Sequence, residues 1–507
     1  MNKSQHGFRD GFSTITQLLS YYDSILSMLE EGHSVHAIYL DFAKAFDKVD
    51  HGILLTKVKG YGIQGKLAKW LQTFLTTRTQ QVRVGDFLSE EVKVLSGVPQ
   101  GSVLGPLLFI VYMIDITEDL DGILIGSFAD DTKNWQIATF KFFQRELDKM
   151  YRWAERNNGN YNGKKFVQVT YGDNSEDTQL LTPQGEVIKS KTLVRDLGIY
   201  MASDAKFDQH IDHVVKSAQK MSGWTLRTFR TRKVKPMLTI LKSLVRNKAE
   251  YASILWSPTD SKNIQYIESI QRRFTSKIGI FRTLNKDTGL TECKVGYTER
   301  LKRLKLYSLQ RRRERFMLCY MYKLHIGIVP DLGFLSEDKG RNGPQYLPKR
   351  HPSAPDEVQA VRTSSFFCQG PKLFNLLPLQ LRTAQRPADK AQAKKLFDTF
   401  KLRLDKWLEL IPDDPHTGKP PKRSMDPNAI EAQLNKHGVE IRRQWEIVFR
   451  RLEREEAAAE NKGRNNSNSN SNSNSNSNSR KSKFERQAEE SAKRRRNNVS
   501  KEWEGWL

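Results

Sequence analysis

Three carboxylates stand where carboxylates are costly. Asp41 ends the apolar run Val35 to Leu40, and Asp130-Asp131 occupy the turn of a hydrophobic hairpin, ILIGSFADDTKNWQI. Acids beside a core repel one another and lose solvation, so the arrangement is favourable only with a partner cation. Magnesium suits it, a hard ion that takes carboxylate oxygens at about 2.0–2.1 Å and completes its shell with substrate phosphates. Two such ions about 3.5–4 Å apart activate an attacking hydroxyl and steady a leaving pyrophosphate in an in-line displacement. Taken singly, Asp41 also fits a strand cap and Asp130-Asp131 an ordinary turn.

The elements that must carry these acids are legible in the hydrophobic pattern. Ile15, Leu18, Leu19, Tyr22, Ile25 and Leu29 recur at helical spacing, and Val35 to Leu40 reads as a buried strand. Ile63 to Leu75 marks another helix. Gln81 to Val94 alternates like a hairpin around Gly85-Asp86. SGVPQGSVLGPLLFIVYMIDI is a Gly/Pro-rich loop running into an apolar helix. The expected class is a mixed α/β domain with central hairpins, followed from about residue 205 by a mainly helical segment.

The 507 residues carry 83 Lys and Arg against 58 Asp and Glu, a formal +25, which favours polyanionic partners. Residues 221–330 alone hold 24 basic and 7 acidic residues, an excess of +17. The longest apolar run, Val103 to Ile114, is 12 residues and contains Pro106, short of the roughly 18 a spanning helix needs, so no membrane segment is expected. Cys293, Cys319 and Cys368 are too widely spaced for a zinc knuckle or disulfide framework, and no apolar signal region opens the chain. The expected compartment is reducing: the nucleus, or the cytoplasm as a ribonucleoprotein. Asn466 to Ser479 alternates Asn and Ser and cannot bury enough surface to order itself.

YLDFAKAFDKVDH at 39–51, SGVPQGSVLGPLLF at 96–109 and SFADD at 127–131 resemble, in order and spacing, motifs A, B and C of a reverse transcriptase palm. More narrowly the chain resembles the enzymes of non-LTR retrotransposons of the jockey and chicken-repeat type. The likeness continues through QHGFRDGFST at 5–14, WAERNN and YNGKKF at 153–166, VRDLGIY at 194–200 and RLKRLKLYSLQRRRERF at 300–316.

The resemblance implies an RNA-directed DNA polymerase that adds deoxynucleotides to a DNA primer 3′-hydroxyl, copying an RNA template with two Mg2+ ions. Asp41 and Asp130 would hold the metals, with Asp131 supporting them. Lys165 would be the motif D lysine, a proton donor to departing pyrophosphate. Phe46 would crowd the sugar 2′ position, Gln100 and Gly101 would approach the nucleotide and templating base, and Arg9 would be a remaining finger arginine near the nucleotide. Leu197, Gly198, Ile199 and Tyr200 would grip the primer end. Each position also has a plainer reading: core aromatic for Phe46, turn punctuation for the motif B loop, solvated lysine for Lys165, strand packing for 197–200. Trp224, Phe229 and Trp256 could stack on bases, although core packing is the simpler assignment.

The expected organisation is an α/β palm of the right-hand polymerase type with a helical thumb and helical extension. Its segments are remnant fingers at 1–34, palm at 35–204, basic thumb at 205–290, extension at 291–413, linker and charged helix at 414–465, and a disordered tail at 466–507 with a basic cluster at Lys493 to Arg496. The family's basic finger motif, which precedes QHGFR in relatives, is missing from the sequence, as are endonuclease and RNase H signatures. Impaired polymerisation is therefore expected, and the competing reading is a non-catalytic nucleic-acid-binding protein derived from a retroelement. An RNA-copying RNA polymerase is disfavoured by Phe46 and by FADD.

Overall fold

The computed structural model describes residues 4–137, 140–159, 161–172, 179–284, 291–338, 344–349, 351–384, 386–415 and 426–471. The chain opens with helix α1 (Thr14–Glu30), whose start is fixed by a reciprocal cap: Thr16 N–H donates to Ser13 Oγ at 3.3 Å and Ser13 N–H to Thr16 Oγ1 at 2.9 Å. Strand β1 (Val35–Leu40) follows. Helix α2 (His51–Gly60) is capped by Asp50, whose Oδ1 accepts from Ile53 N–H at 2.9 Å, and α3 (Gly65–Thr76) completes the pair. The sequence pattern signals α3 but not α2, because α2 is short and carries glycine at its second and last positions.

Between α3 and the next helix, Thr79–Gln80 pairs with Val92–Lys93, and Arg83–Val84 pairs with Phe87–Leu88 around Gly85-Asp86. The turn is where the alternation places it, but neither face is buried, and Phe87 stays 84% exposed. Helix α4 (Leu104–Tyr112) then leads to β2 (Leu124–Phe128) and β3 (Asp131–Gln136). Helix α5 (Phe140–Arg156) precedes β4 (Val167–Tyr171) and the two-residue β5 (Lys189–Ser190). The sheet order is β2-β3-β1-β4-β5, with β1 antiparallel to both neighbours. A separate hairpin, β6 (Leu193–Asp196) with β7 (Ile199–Ala202), follows.

Because successive strand residues face opposite sides, β1 serves two cores at once. Ile38 and Leu40 pack with Leu54, Leu71, Phe109, Phe143 and Trp153 of α2–α5. Val35 and Ala37 face α1 instead, in a second core that runs without a break into helices α6 (Asp208–Thr228), α7 (Ser261–Thr275), α8 (Leu309–His325), α9 (Asp356–Ser364), α10 (Phe366–Asn375), α11 (Lys390–Glu409) and α12 (Ile430–Ser471). Phe366, Phe367, Leu373 and Trp407 are buried in it.

Helix α6 buries Ile211, Val214, Val215, Ala218, Ser222 and Thr225. That stripe leaves Trp224 on the other side, 50% exposed and edge-on to a 39% exposed Phe229 at 6.4 Å, so core packing holds for Trp256 alone of the three. Helix α12 continues past Ala459 to Ser471, carrying the first Asn-Ser repeats, since extending an existing helix is easier than nucleating one. The rest of the repeat and Lys493 to Arg496 lie outside the described residues. No described helix is long and apolar enough to cross a membrane, and all three cysteines are free thiols.

Two buried histidines add an acid-sensitive contribution to the fold's stability. Desolvation, aided by Arg9 and Lys133, lowers His6 to about 4, and desolvation with His213 lowers His210 to about 4. An unfolded histidine binds its proton near 6.5, so this stability is complete above that pH and is lost as pH falls toward 4, at about 1.4 kcal/mol per unit per group. Asp131, raised to about 6, and Glu314, raised to about 7, act with the opposite sign over the same range, so the histidine contribution is read by difference: in thermal melts at pH 5 and pH 7.5, His210→Gln should lose less stability on acidification than the wild type.

Candidate active site

Strand β1 delivers Asp41 by register. His36–Leu40 pairs with Thr132–Gln136, Leu40 opposite Thr132, so one further step brings Asp41 level with Asp131. On the other side Tyr39 pairs with Val167, and two steps further on the register sets Asp41 beside Lys165. There Lys165 Nζ donates to Asp41 Oδ2 at 2.8 Å, and Asn162 N–H donates to the Asp41 carbonyl at 2.9 Å. The hairpin β2–β3 closes at the Phe128–Asp131 pair, leaving Ala129 and Asp130 as its two-residue turn.

Register and the hairpin turn place the three acids at the same end of the sheet. Desolvation and the Asp41 charge raise the Asp130 pKa. Asp131 is pushed up to about 6 by desolvation and then by Asp130, Asp196 and Asp41, against the pull of Lys133. Among the described residues no three His, Cys, Asp or Glu side chains are arranged as a metal cage. The reason is local: Asp130 sits in the turn while Asp131 opens the next strand, and Lys165 holds Asp41. The donor set still fits a hard divalent cation, because Mg2+ binds proteins through one or two carboxylates and keeps water or phosphate on its other positions.

The residues expected around a nucleotide occupy the neighbouring rim. Phe46 is half-buried, stacked on Phe109 at 4.1 Å and met edge-on by Phe8 at 6.3 Å. Gln100 Nε2 donates to Asp47 Oδ1 at 2.7 Å, tying the loop before α4 to the segment after β1. Gly101 has φ 80°, and a Cβ there would meet nothing within 4 Å, so the glycine serves the backbone turn rather than a close approach inside the chain. Arg9 Nη1 donates to the Gln5 carbonyl at 2.8 Å, and its guanidinium lies 4.2 Å over the Phe12 ring. Leu197 and Gly198, at φ 43° and 88°, form the tip of β6–β7, and the Tyr251 hydroxyl donates to the Leu197 carbonyl at 2.9 Å. Ile199 and Tyr200 open β7, where Ile199 is buried and the Tyr200 N–H donates to His210 Nδ1 at 3.2 Å.

Residues 1–228 match the family described as reverse transcriptase (RNA-dependent DNA polymerase). This part of the chain is a reverse transcriptase domain. The chain is 33% identical over 224 residues to the RNA-directed DNA polymerase from mobile element jockey of Drosophila melanogaster, covering 42% of this chain and 24% of that one. Its jockey counterpart from Drosophila funebris is 27% identical over 313 residues, covering 58% and 34%, and a probable RNA-directed DNA polymerase from the Drosophila melanogaster transposon X-element is 25% identical over 281 residues, covering 53% and 31%. The chain thus spans a quarter to a third of the length of these relatives. Among solved structures, apo telomerase from Candida Tropicalis overlaps with TM-score 0.35 at 12% identity over 55% of this chain and 47% of that one, too slight a likeness to argue from.

Within the reverse transcriptase domain, the motifs alone do not show what braces the carboxylate hairpin. Lys133, 2% exposed on β3, pairs with buried Asp196 of β6 and lies 4.1 Å over the Tyr21 ring. This ion pair joins the strand that follows Asp131 to the hairpin expected to hold a primer. No sequence signal marks this pair: Lys133 sits in the mostly polar run Asp131–Gln136, and its partner lies 63 residues away. Gln5, in the QHGFR stretch, bonds the Ala129 backbone.

Proposed function

We propose that this chain carries out RNA-directed DNA synthesis, extending a DNA primer on an RNA template from deoxynucleoside triphosphates. What supports the reading most is the gathering of Asp41, Asp130 and Asp131 at one end of the sheet within a reverse transcriptase domain, where their mutual repulsion leaves negative charge for a cation to meet. Asp41 and Asp130 would hold Mg2+, which when bound lowers the pKa of a primer hydroxyl and neutralises charge on the leaving phosphates. The basic helical segment after the palm, with exposed Trp224 and Phe229, supplies phosphate contacts and stacking surface for the duplex. Primer extension by the full chain on an RNA template, with deoxynucleotides and Mg2+, tests the reading. Absence of extension together with absence of Asp130-dependent metal binding refutes it.

Lys165 plays two parts that a single substitution separates. It neutralises Asp41, so it competes with the metal, and once released it stands beside the reacting phosphates with a proton to give. Lys165→Met should therefore lower the Mg2+ concentration for half-maximal extension, while kcat falls about 10²-fold if the ammonium is the general acid. Phe46 covers Phe109 at the rim. Phe46→Ala should leave deoxynucleotide extension within a few-fold and raise ribonucleotide incorporation by one to two orders of magnitude, about the 1–3 kcal/mol a single steric contact discriminates. Competing the two triphosphates in one extension assay reads this out.

A further inference from the structure

The turn that presents Asp130 is conformationally unfavourable by its own sequence. In the two-residue loop Ala129-Asp130 the first central residue has φ 59°, a position where glycine is ordinarily required, yet alanine occupies it. Such backbone persists only where the surroundings hold it.

The hold comes from the N-terminal stretch. Ser127 N–H donates to the Ser4 carbonyl at 2.9 Å and His6 N–H to the Ser127 carbonyl at 2.9 Å, laying Gln5 alongside β2. From there the Gln5 carboxamide bonds both backbone groups of Ala129: Oε1 accepts from Ala129 N–H at 2.9 Å and Nε2 donates to the Ala129 carbonyl at 3.2 Å. The same Oε1 accepts from Gly7 N–H at 2.8 Å, which fixes the amide's orientation, and Gln5 is only 7% exposed. Gly7 permits the approach, since a Cβ there would lie 2.5 Å from the Ala129 nitrogen.

We propose that Gln5 is a positioning residue for the Asp130 carboxylate, holding Ala129 in its left-handed conformation and so setting the direction in which Asp130 points. The inference rests on the reading of Asp130 as a metal-binding carboxylate. A primary amide is suited to this role because one side chain must offer an acceptor to an N–H and a donor to a C=O of the same residue. Gln5→Met keeps length and apolar bulk and removes all three hydrogen bonds. Gly7→Ala disturbs the same turn by contact rather than by lost bonds.

The test is Mn2+ binding to the full chain without nucleic acid, followed by electron paramagnetic resonance, beside primer extension titrated with Mg2+. In Gln5→Met, Asp130-dependent Mn2+ binding should weaken about fivefold or more, the Mg2+ requirement should rise in step, and kcat should drop about 10- to 100-fold, the scale of an ångström's misplacement. Affinity for an RNA–DNA duplex should stay within about twofold, because phosphate contacts dominate it. Gly7→Ala should shift metal binding the same way, which covers the case that Gln5→Met folds poorly. Wild-type metal binding and kcat in Gln5→Met overturn the proposal. So does activity lost only in proportion to the folded fraction, with the metal requirement unchanged. If the wild type and Asp130→Asn bind Mn2+ alike, the carboxylate reading itself is wrong and this inference falls with it.

Discussion

Asp130→Asn is expected to lower primer extension at least about 10³-fold while leaving duplex affinity unchanged and the fold as stable as before or more so. The catalytic loss follows from removing the carboxylate that lies at the turn and feels the Asp41 charge. Metal-assisted stabilisation of this kind is worth several kcal/mol, and about 4 kcal/mol corresponds to 10³ in rate. The stability gain has the opposite sign for the same reason. Asp130 contributes to raising the Asp131 pKa, so a neutral amide at 130 relieves repulsion in the metal-free chain. Extension under saturating Mg2+, a filter-binding titration and a thermal melt on the same preparation check all three. Unaltered extension would remove Asp130 from the chemistry, and parallel loss of binding and stability would make it a structural residue.

The second large effect lies far from the carboxylates. Arg362 of α9, 1% exposed, donates to Glu30 Oε2 through Nε at 3.0 Å and Nη2 at 2.7 Å, to Asp23 Oδ1 through Nη1 at 2.5 Å, and to Ser27 Oγ through Nη2 at 2.9 Å. Lys349 Nζ adds a contact to Asp23 Oδ2 at 2.6 Å. These bonds fasten the region after residue 345 to helix α1 of the reverse transcriptase domain. Arg362→Met leaves two buried carboxylates with one partly exposed lysine between them, and breaking a buried pair from one side costs about 3–5 kcal/mol. Urea unfolding should show that loss, and Arg362→Met combined with Asp23→Asn and Glu30→Gln should recover much of it, since no unpaired charge then remains. A single substitution costing under about 0.5 kcal/mol would mean that the cluster is solvated and contributes as a surface pair does.

That the three carboxylates come to one end of the sheet is legible in the sequence because the parts are local. Asp41 and the Asp130-Asp131 turn each close a short apolar strand, and register does the rest. What was not legible is long-range. Gln5 meets Ala129 across 124 residues, and Arg362 meets Glu30 across 332. No periodicity or propensity encodes such pairings, whose energy appears only when the chain is already folded. Arg9, expected near the nucleotide, also meets Gln5 and Phe12 of its own segment, contacts that the sequence does not announce. The 79–94 ladders show the opposite limit: alternation predicts the pairing, but nothing in it reveals that both faces remain in solvent.

The apolar interior that begins at Ile15 and ends at Trp445 does not respect the point, at residue 228, where the match to the reverse transcriptase family ends. Cutting there would remove helices α7–α12 from that shared interior, so the segment matched by the family and the unit that unfolds are different lengths of chain. Expression trials that trim the chain to residues 1–228 should yield insoluble material, whereas a boundary placed beyond Leu452 keeps the interior closed.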